Sequence, residues 1–255
     1  DYSADRVIVT DSRGTVYEAK KAIICVPLSV LKSQSIAFSP ILPAPKQEAI
    51  QRIGFDLGMK VLLKFSEPFW QEPTTFVFGG TECPSYEVIS MGRETQEYII
   101  CAYLMGKFAH QFGQMEEKER EKVLLADLSQ LFTQSVENTF IGSHTQDWSK
   151  EAHIWGAYSF NAPHSLGMRE ILAAPIEDKI FFAGEASHFD GHHATVHGAM
   201  EIAEWVVERT QSLNKVCSKI EQRGYVWNAA VYFRGHNRAF AGVYPRWCPP
   251  RQHLY

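Results

Sequence analysis

The sequence predicts an α/β part joined to an α+β part within one chain of 255 residues. Three observations support this prediction. Strand-like runs are grouped between residues 60 and 104, and an amphipathic helix follows them at 115–132. Near the end of the chain, the apolar run 180–183 is followed by helical spacing at 195–210. Grouped strands around one helix are typical of α+β folds, whereas a strand followed directly by a helix is typical of α/β folds.

Short runs of β-branched and aromatic residues that end in turn residues predict the strands. In chain order these runs are 6–10, 15–18, 22–26, 60–65, 75–78, 86–90, 98–104, 145–148, 153–160 and 180–183. Apolar residues at helical spacing predict helices at 46–53, 115–132 and 195–210. No periodicity remains beyond these elements, so residues 213–255 are predicted to be a tail of doubtful structure.

Composition and charge narrow the classes of function. The net charge of −4 disfavours a nucleic-acid partner, since such proteins are usually basic. No apolar run approaches the roughly 18 residues of a membrane span. The five cysteines form no CxxC pair, which disfavours a disulfide framework or a structural zinc site. We therefore expect no nucleic-acid partner and no membrane span, and the cysteine pattern weakly favours the cytoplasm or another reducing compartment.

A carboxylate follows the last predicted strand directly. Gly184 and Glu185 end the run 180–183, and the next helix begins within about ten residues. Open α/β sheets bind ligands at the carboxyl ends of their strands, and a helix N-terminus favours negative charge. This arrangement suits a nucleotide cofactor such as a flavin, whose ring gains negative charge on reduction. The alternative is an ordinary turn in which Glu185 is solvated.

Lys60 lies at the start of an apolar strand. Strand alternation places Lys60 and Lys64 on one face and Val61 and Leu63 on the other. A partly buried lysine with a lowered pKa could orient a water molecule or transfer a proton. The alternative is a solvated charge at a sheet edge.

Four aromatic residues, Trp148, Trp155, Tyr158 and Phe160, surround Gly156. Such clusters usually pack in a core, but their faces can also line a pocket that favours amines and cations. Both interpretations remain open at the level of the sequence.

The histidines of one short segment offer a third kind of site. His188, His192, His193 and His197 fall within ten residues, and the last two have the i, i+4 spacing that can hold a metal on a helix. However, Thr195 is predicted to lie at the helix start, so His193 precedes the helix. No HExxH pattern is present. We favour loop and helix-start histidines and predict no metal site.

Taken in order, these pieces resemble the C-terminal part of the flavin-dependent amine oxidases, which include polyamine oxidases, monoamine oxidases and lysine-specific histone demethylases. The resemblance covers about residues 1–210. It is carried by the segments 22–31, 38–43, 46–50, 58–70, 148–159 and 182–199. It implies a two-domain FAD-linked fold. Residues 1–30 and 178–212 would belong to the FAD-binding α/β domain, and 31–177 to a mixed-sheet substrate-binding domain.

The resemblance implies a role for individual residues. Glu185 matches the acidic residue that contacts FAD, and Lys60 matches the lysine that holds a water near flavin N5 and assists reoxidation. Tyr158 matches one wall of the aromatic pocket that aligns the amine. The implied cofactor-binding residues are Gly184, Glu185, Thr195, Val196 and Trp148, and the implied catalytic residues are Lys60, Tyr158 and Thr195.

Departures from the family pattern carry information too. Thr195 stands where monoamine oxidases have a second tyrosine. Ala157 stands where they have the cysteine that bonds the flavin, so the resemblance implies non-covalent FAD. The family's N-terminal GxGxxG, whose glycines admit the FAD pyrophosphate, does not occur in this sequence. We therefore expect the chain alone to lack this part of the site and to bind FAD weakly or not at all.

The implied function is oxidation of a polyamine-like or other amine to an imine, with O₂ reduced to hydrogen peroxide. Three alternatives remain open. The chain could be a non-catalytic truncated oxidase. It could also belong to an L-amino-acid oxidase or desaturase of the same flavin class, for which Arg93 or Arg169 would bind the substrate carboxylate. The third alternative is a metal site on the histidines.

Overall fold

A computed structural model describes residues 1–71, 74–89, 97–211 and 231–233. The strands are β1 (Val7–Thr10), β2 (Val16–Ala19), β3 (Ala22–Ile24), β4 (Gly54–Phe55), β5 (Gly58–Phe65), β6 (Phe76–Phe78), β7 (Ser85–Val88), β8 (Tyr98–Met105), β9 (Phe140–Asp147), β10 (Ser159–Phe160), β11 (Ile180–Phe182) and β12 (Val231–Phe233). The α-helices are α1 (Leu28–Lys32), α2 (Ala44–Arg52), α3 (Lys107–Gly113), α4 (Glu117–Leu131), α5 (Met168–Ala173) and α6 (Val196–Gln211). The chain is therefore a mixed α/β protein with several sheets.

Most predicted elements are confirmed, with a few corrections. The predicted strand at 153–160 is wrong except for β10, because His153 and Trp155 adopt positive φ values of 65° and 51° that turn the chain. The helix predicted at 115–132 corresponds to α4. A separate helix, α3, lies just before it and was not predicted. Helices α1 and α5 were not predicted, since five or six residues show too little periodicity. Within the predicted tail, the structure describes only β12; the rest lies outside the described residues.

The chain divides into two compact units. The first consists of Asp1–Val26, Ala37–Gln47 and the described residues from Arg169 onward, and the second of Pro27–Ile36 and Glu48–Met168. In the first unit β3 pairs in parallel with β11 and antiparallel with β12, and β1 and β2 form a hairpin. Helix α6 packs Ile202 and Val206 against Phe181. A parallel strand covered by a helix is the α/β arrangement that the sequence predicted for this end of the chain.

Lys46 is a buried cation that joins separate segments of the first unit. Its side chain is 4% exposed, and Nζ donates hydrogen bonds to the backbone carbonyls of Ile171 at 2.7 Å, Leu172 at 2.8 Å and Ala174. These carbonyls lie at the end of α5, where the last helical C=O groups lack partners within the helix and favour a cation. Nζ also lies 4.4 Å from the ring centroid of Phe182. Burial lowers the pKa of Lys46 to about 7.

The second unit is built on the antiparallel sheet β6-β7-β8-β5-β9. Met59, Val61 and Leu63 of β5 are buried on one face, whereas Lys60 is exposed on the other, which confirms the predicted alternation. The buried face packs against α3 and α4.

Asp127 of α4 orders the turn between β6 and β7. The carboxylate is buried and accepts the backbone N–H groups of Thr81, Glu82 and Cys83, together with the hydroxyl of Tyr86 at 2.6 Å. A buried carboxylate needs this number of donors to offset its loss of water. The packing of β7 against α4 therefore depends on one charged residue.

The segment that leads from β9 to Tyr158 folds back on β4 and β5, and two glycines permit the contact. A Cβ atom on Gly156, which has φ +155°, would lie 2.5 Å from the ring of Phe55 and 2.7 Å from the carbonyl oxygen of Asp56. A Cβ atom on Gly58 would lie 2.5 Å from that of Ala157. The position of Tyr158 therefore follows from close backbone packing on either side of it.

Two expectations from composition can be compared with the structure. No helix in the described part of the chain is long and apolar enough to cross a membrane. Cys25, Cys83 and Cys101 are free thiols, and burial raises their pKa values to about 11, 12 and 11. The remaining two cysteines lie outside the described residues.

We predict that Lys46→Met lowers the free energy of unfolding by about 2–4 kcal/mol, because three buried carbonyls lose their charged donor. Urea unfolding followed by circular dichroism measures this change. Lys21→Met is the matched control, since Lys21 forms an exposed pair with Asp178 in the same unit and should cost less than about 1 kcal/mol. Equal losses in the two variants would contradict the assignment.

Lys46 should also make stability depend on pH. Its pKa is about 7 in the folded protein against 10.5 for an unperturbed lysine, so the unfolded chain binds more protons between these values. Stability contributed by this group therefore rises with pH above 7, by at most about 1.4 kcal/mol per pH unit. We expect the difference between wild type and Lys46→Met to grow from pH 7 to pH 8.5, because the thiols are the same in both proteins and their titration cancels in the difference. A difference that is independent of pH would refute this.

We further predict that Gly156→Ala destabilises the protein by about 2 kcal/mol or more, because the new Cβ meets Phe55 and the backbone of Asp56. Gly142→Ala in β9 is the control, since no atom lies within 4 Å of its Cβ position and its φ is not positive. Thermal unfolding compares the two, and similar melting temperatures would show that the segment yields to the added methyl group.

Candidate functional site

The predicted site residues fall into both units of the chain, and each group is treated by itself. Those in the first unit are Gly184, Glu185, Thr195 and Val196, and those in the second are Lys60, Trp148 and Tyr158.

The turn after β11 is ordered by its own carboxylate. Glu185 Oε2 accepts the backbone N–H of Ala194 at 2.8 Å and so fastens the loop that leads to α6. Gly184 has φ +113°, and no described atom lies within 4 Å of its Cβ position, so open space borders the turn. Glu185 is half-buried and bound to the backbone, which differs from the solvated end residue considered as an alternative.

Thr195 is the N-cap of α6. Its Oγ1 accepts the N–H of Gly198 at 3.0 Å and donates to the carbonyl of His192 at 2.6 Å. A Cβ atom on Gly198 would lie 1.9 Å from the carbonyl oxygen of His192, so the loop packs closely against the first turn of the helix. Val196, the first helical residue, is 61% exposed. The hydroxyl of Thr195 therefore has a structural task that the sequence analysis did not assign to it.

Two histidines converge on one carboxylate beside this helix. Glu201 Oε2 lies 2.9 Å from His188 Nε2 and 2.8 Å from His192 Nδ1, and the three ligand atoms lie within 4.8 Å of one another. The hydrogen bond from His192 lowers the pKa of Glu201. The pair with i, i+4 spacing, His193 and His197, does not belong to this cluster.

The hydrogen bonds indicate what this cluster can do. His188 Nδ1 accepts the backbone N–H of His192 at 3.2 Å, which assigns the proton to Nε2 and makes it a donor to Glu201. A metal on His188 Nε2 would require a protonated Nδ1 facing that N–H. The arrangement therefore suits a hydrogen-bonded clamp between the loop and α6 better than a metal site.

In the second unit Lys60 remains an ammonium on the open face of the sheet. Its Nζ lies 4.5 Å from the ring centroid of Tyr103, the residue paired with it across β5 and β8. Partial burial lowers the pKa of Lys60, but Tyr103, Cys101 and Glu87 together outweigh that effect and raise it. The interpretation of Lys60 as a lysine with a lowered pKa is therefore wrong.

The four aromatic residues around Gly156 do not form a buried core. Trp148, Trp155, Tyr158 and Phe160 are each more than a third exposed. The backbone of Trp148 holds the segment in place, since its N–H donates to the carbonyl of Gly58 at 3.1 Å and its carbonyl accepts the N–H of Gly156. These side chains present apolar surface that suits a ligand or another part of the protein.

The arginines considered as carboxylate partners have different outcomes. Arg169 is buried, and its Nη1 donates to the carbonyl of Ala186 at 2.9 Å, so it supports the backbone beside Glu185. An amino-acid oxidase in which Arg169 binds the substrate carboxylate is therefore less favoured. Arg93 lies outside the described residues.

Sequence reasoning missed Tyr103, Glu87 and Glu201. Tyr103 and Glu87 alternate with buried strand residues, which places each on the open face, but only the pairing of β5, β7 and β8 brings them to Lys60. Glu201 lies one helical turn beyond His197 and gave no signal of its own.

Known proteins show similarity over most of the chain. The sequence profile described as "Flavin containing amine oxidoreductase" matches residues 1–209. "Lysine-specific histone demethylase 1 homolog 3" of Arabidopsis thaliana is 31% identical over 209 residues, which are 78% of this chain and 13% of that protein. "Polyamine oxidase 4" of Oryza sativa subsp. japonica is 31% identical over 198 residues, 76% of this chain and 39% of that protein. "Lysine-specific histone demethylase 2" of Homo sapiens is 30% identical over 210 residues, 78% of this chain and 25% of that protein.

The chain thus spans less than half the length of these relatives. The profile nevertheless covers both compact units and every predicted site residue. The chain belongs to the family of flavin-containing amine oxidoreductases.

Proposed function

We propose that the intact protein containing this chain is an FAD-dependent amine oxidase. It converts an amine to an imine, which water hydrolyses, and the two electrons removed from the carbon–nitrogen unit reduce O₂ to hydrogen peroxide. The observation that carries the proposal is the turn at Gly184 and Glu185, which lies at the carboxyl end of a parallel strand and is hydrogen-bonded to the loop that leads to a capped helix. Open α/β sheets bind nucleotide cofactors at such a turn.

The first unit would hold the flavin, and its residues fit that task. Open space borders Gly184, and the first turn of α6 is exposed at Val196. The first N–H groups of a helix lack partners within the helix, and Thr195 takes only that of Gly198. The positive end of the helix would therefore favour the negative charge that a flavin ring gains on reduction. Bound FAD supplies the two-electron acceptor of the reaction.

We assign non-covalent binding because Ala157 offers no nucleophile where monoamine oxidases bond their flavin through cysteine. The first unit would then correspond to the FAD-binding part of the family fold and the second to the substrate-binding part. The GxGxxG segment of the family would be supplied by sequence other than that of this chain.

The second unit would bind and orient the amine. Tyr158 and Trp148 present exposed aromatic faces, which favour amines and cations. Lys60 would hold a water molecule through its ammonium Nζ and stabilise the negative charge that develops on oxygen during reduction. Polyamines and N-methylated lysine both contain an aliphatic carbon–nitrogen bond of the required kind, and the names of the relatives include both substrate classes.

The test is to purify the intact protein and mix it, without oxygen, with spermidine or with a methyl-lysine peptide. We expect one of these amines to bleach the flavin absorbance, and air to restore it with release of peroxide. Acid precipitation should leave the flavin in the supernatant, as required for non-covalent binding. A protein that contains no flavin, or whose flavin is reduced by neither amine class, would support the non-catalytic alternative.

We predict that Lys60→Met slows flavin reoxidation by O₂ about 10²-fold and leaves the flavin content unchanged. Stopped-flow mixing of the reduced protein with oxygen measures this rate. Lys64→Met is the control, since Lys64 lies on the same face of β5 but pairs with Glu97 at 2.6 Å. Unchanged reoxidation in Lys60→Met would remove Lys60 from the mechanism.

A further inference from the structure

A polar group that neither the family resemblance nor the motifs indicate surrounds Lys60. Strand pairing places Tyr103 directly opposite Lys60, and it places Glu87 opposite Cys101, two residues from Tyr103 on the same face of β8. Diagonal neighbours on one face of a sheet are within reach of long side chains. Three neighbouring strands therefore bring an ammonium, a phenol and a carboxylate together.

The contacts link these three groups in a row. Lys60 Nζ lies over the Tyr103 ring at 4.5 Å from its centroid, a distance at which the ring attracts a cation. The pKa of Tyr103 responds to both neighbours: burial raises it, Lys60 lowers it and Glu87 raises it. Tyr103 and Glu87 are both half-buried, so water screens these interactions less than it would at a fully exposed site.

Other groups near Lys60 do not replace this pair. Gln146 faces Lys60 from β9, but it carries no charge and its amide donates to Glu151 at 2.7 Å. Cys101 is a buried thiol on β8 with a pKa raised to about 11. Lys64, the next residue on this face of β5, pairs with Glu97. Glu87 is thus the carboxylate whose charge acts on Lys60.

We propose that Tyr103 and Glu87 are positioning residues for Lys60. The Tyr103 hydroxyl bridges the Lys60 ammonium and the Glu87 carboxylate, which fixes the direction of Nζ on the sheet face and keeps it protonated in alkaline solution. The inference rests on the proposed function only where it connects Lys60 with oxygen reduction; the bridge itself is inferred from the pairing of β5, β7 and β8 and from the contact between Lys60 Nζ and the Tyr103 ring.

The bridge has a consequence for pH dependence. Partial burial lowers the pKa of Lys60, but Tyr103, Cys101 and Glu87 together raise it, and Tyr103 contributes the most of these three. If the ammonium is what assists reoxidation, the rate should fall at high pH as Lys60 loses its proton. Removing the bridge should move that fall to lower pH.

The test measures the titration of Lys60 directly. Lysines of the intact protein are labelled with ¹³C-methyl groups by reductive methylation and followed by NMR from pH 8 to 12, and Lys60→Met assigns the resonance. Tyr103→Phe keeps the ring but removes the hydroxyl, and Glu87→Gln keeps the shape but removes the charge. We expect the titration midpoint of Lys60 to fall in both variants. Glu97→Gln, which removes the partner of Lys64 on the same face of β5, is the control and should leave the midpoint of Lys60 unchanged.

An unchanged Lys60 midpoint in both variants would overturn the proposal, as would an equal fall in Glu97→Gln. The Lys64 resonance and the circular dichroism spectrum report whether each variant is folded, and Glu87→Gln, the change that least alters packing, decides the outcome if Tyr103→Phe unfolds. The pH profile of reoxidation in Glu87→Gln then separates the two claims. A shifted NMR midpoint with an unshifted rate profile would leave the bridge intact and refute only the role of Lys60 in reoxidation.

Discussion

The parallel pairing of β3 with β11 is the constraint on which the first unit depends. The neighbouring bond between Lys21 and Asp178 joins residues 157 positions apart, and closing so long a loop costs about 4–5 kcal/mol of chain entropy. Burial offsets this cost, since Ile180, Phe181 and Phe182 are almost fully inaccessible to water. Lys46 adds three hydrogen bonds to carbonyls at the end of α5 and a contact with Phe182. Long-range pairing therefore persists because an apolar strand and a buried cation stabilise it together.

The candidate flavin site follows from this pairing. Once β11 is fixed, Gly184 and Glu185 emerge at its carboxyl end, and the bond from Ala194 to Glu185 sets the path of the loop. Thr195 then determines where α6 begins. In the second unit, the position of Tyr158 depends on Gly156. Because Gly156 has no side chain, the segment before Tyr158 can lie against Phe55. In the first unit the candidate residues Glu185 and Thr195 thus order the loop and the helix themselves, whereas in the second unit Gly156, which is no candidate for ligand contact, determines where Tyr158 lies.

The sequence predicted those features that depend on local pattern. Alternation along β5, the apolar run of β11 and the helical spacing of α6 each lie within a few residues, and each is confirmed. It did not predict features that depend on distant pairing. The packing of Gly156 against Phe55 of β4 joins segments far apart in the sequence, and the approach of Tyr103 to Lys60 requires the register of β5 and β8. A hydrophobic pattern shows which face a residue occupies, but not which residue lies opposite.

The two lysines of interest show why burial alone is a poor guide to chemistry. One interpretation of the sequence assigned Lys60 a lowered pKa, yet the pKa of Lys60 is raised, whereas that of Lys46 is lowered to about 7. Lys46 is enclosed by carbonyl dipoles, which only partly replace water around its charge, whereas Lys60 is exposed and has a carboxylate and a phenol as neighbours. Desolvation therefore dominates at one position and nearby partners at the other. Since Lys46 is 4% exposed and its Nζ donates to three backbone carbonyls, its lowered pKa marks a structural site, whereas the ammonium that we propose to be functional has a raised pKa.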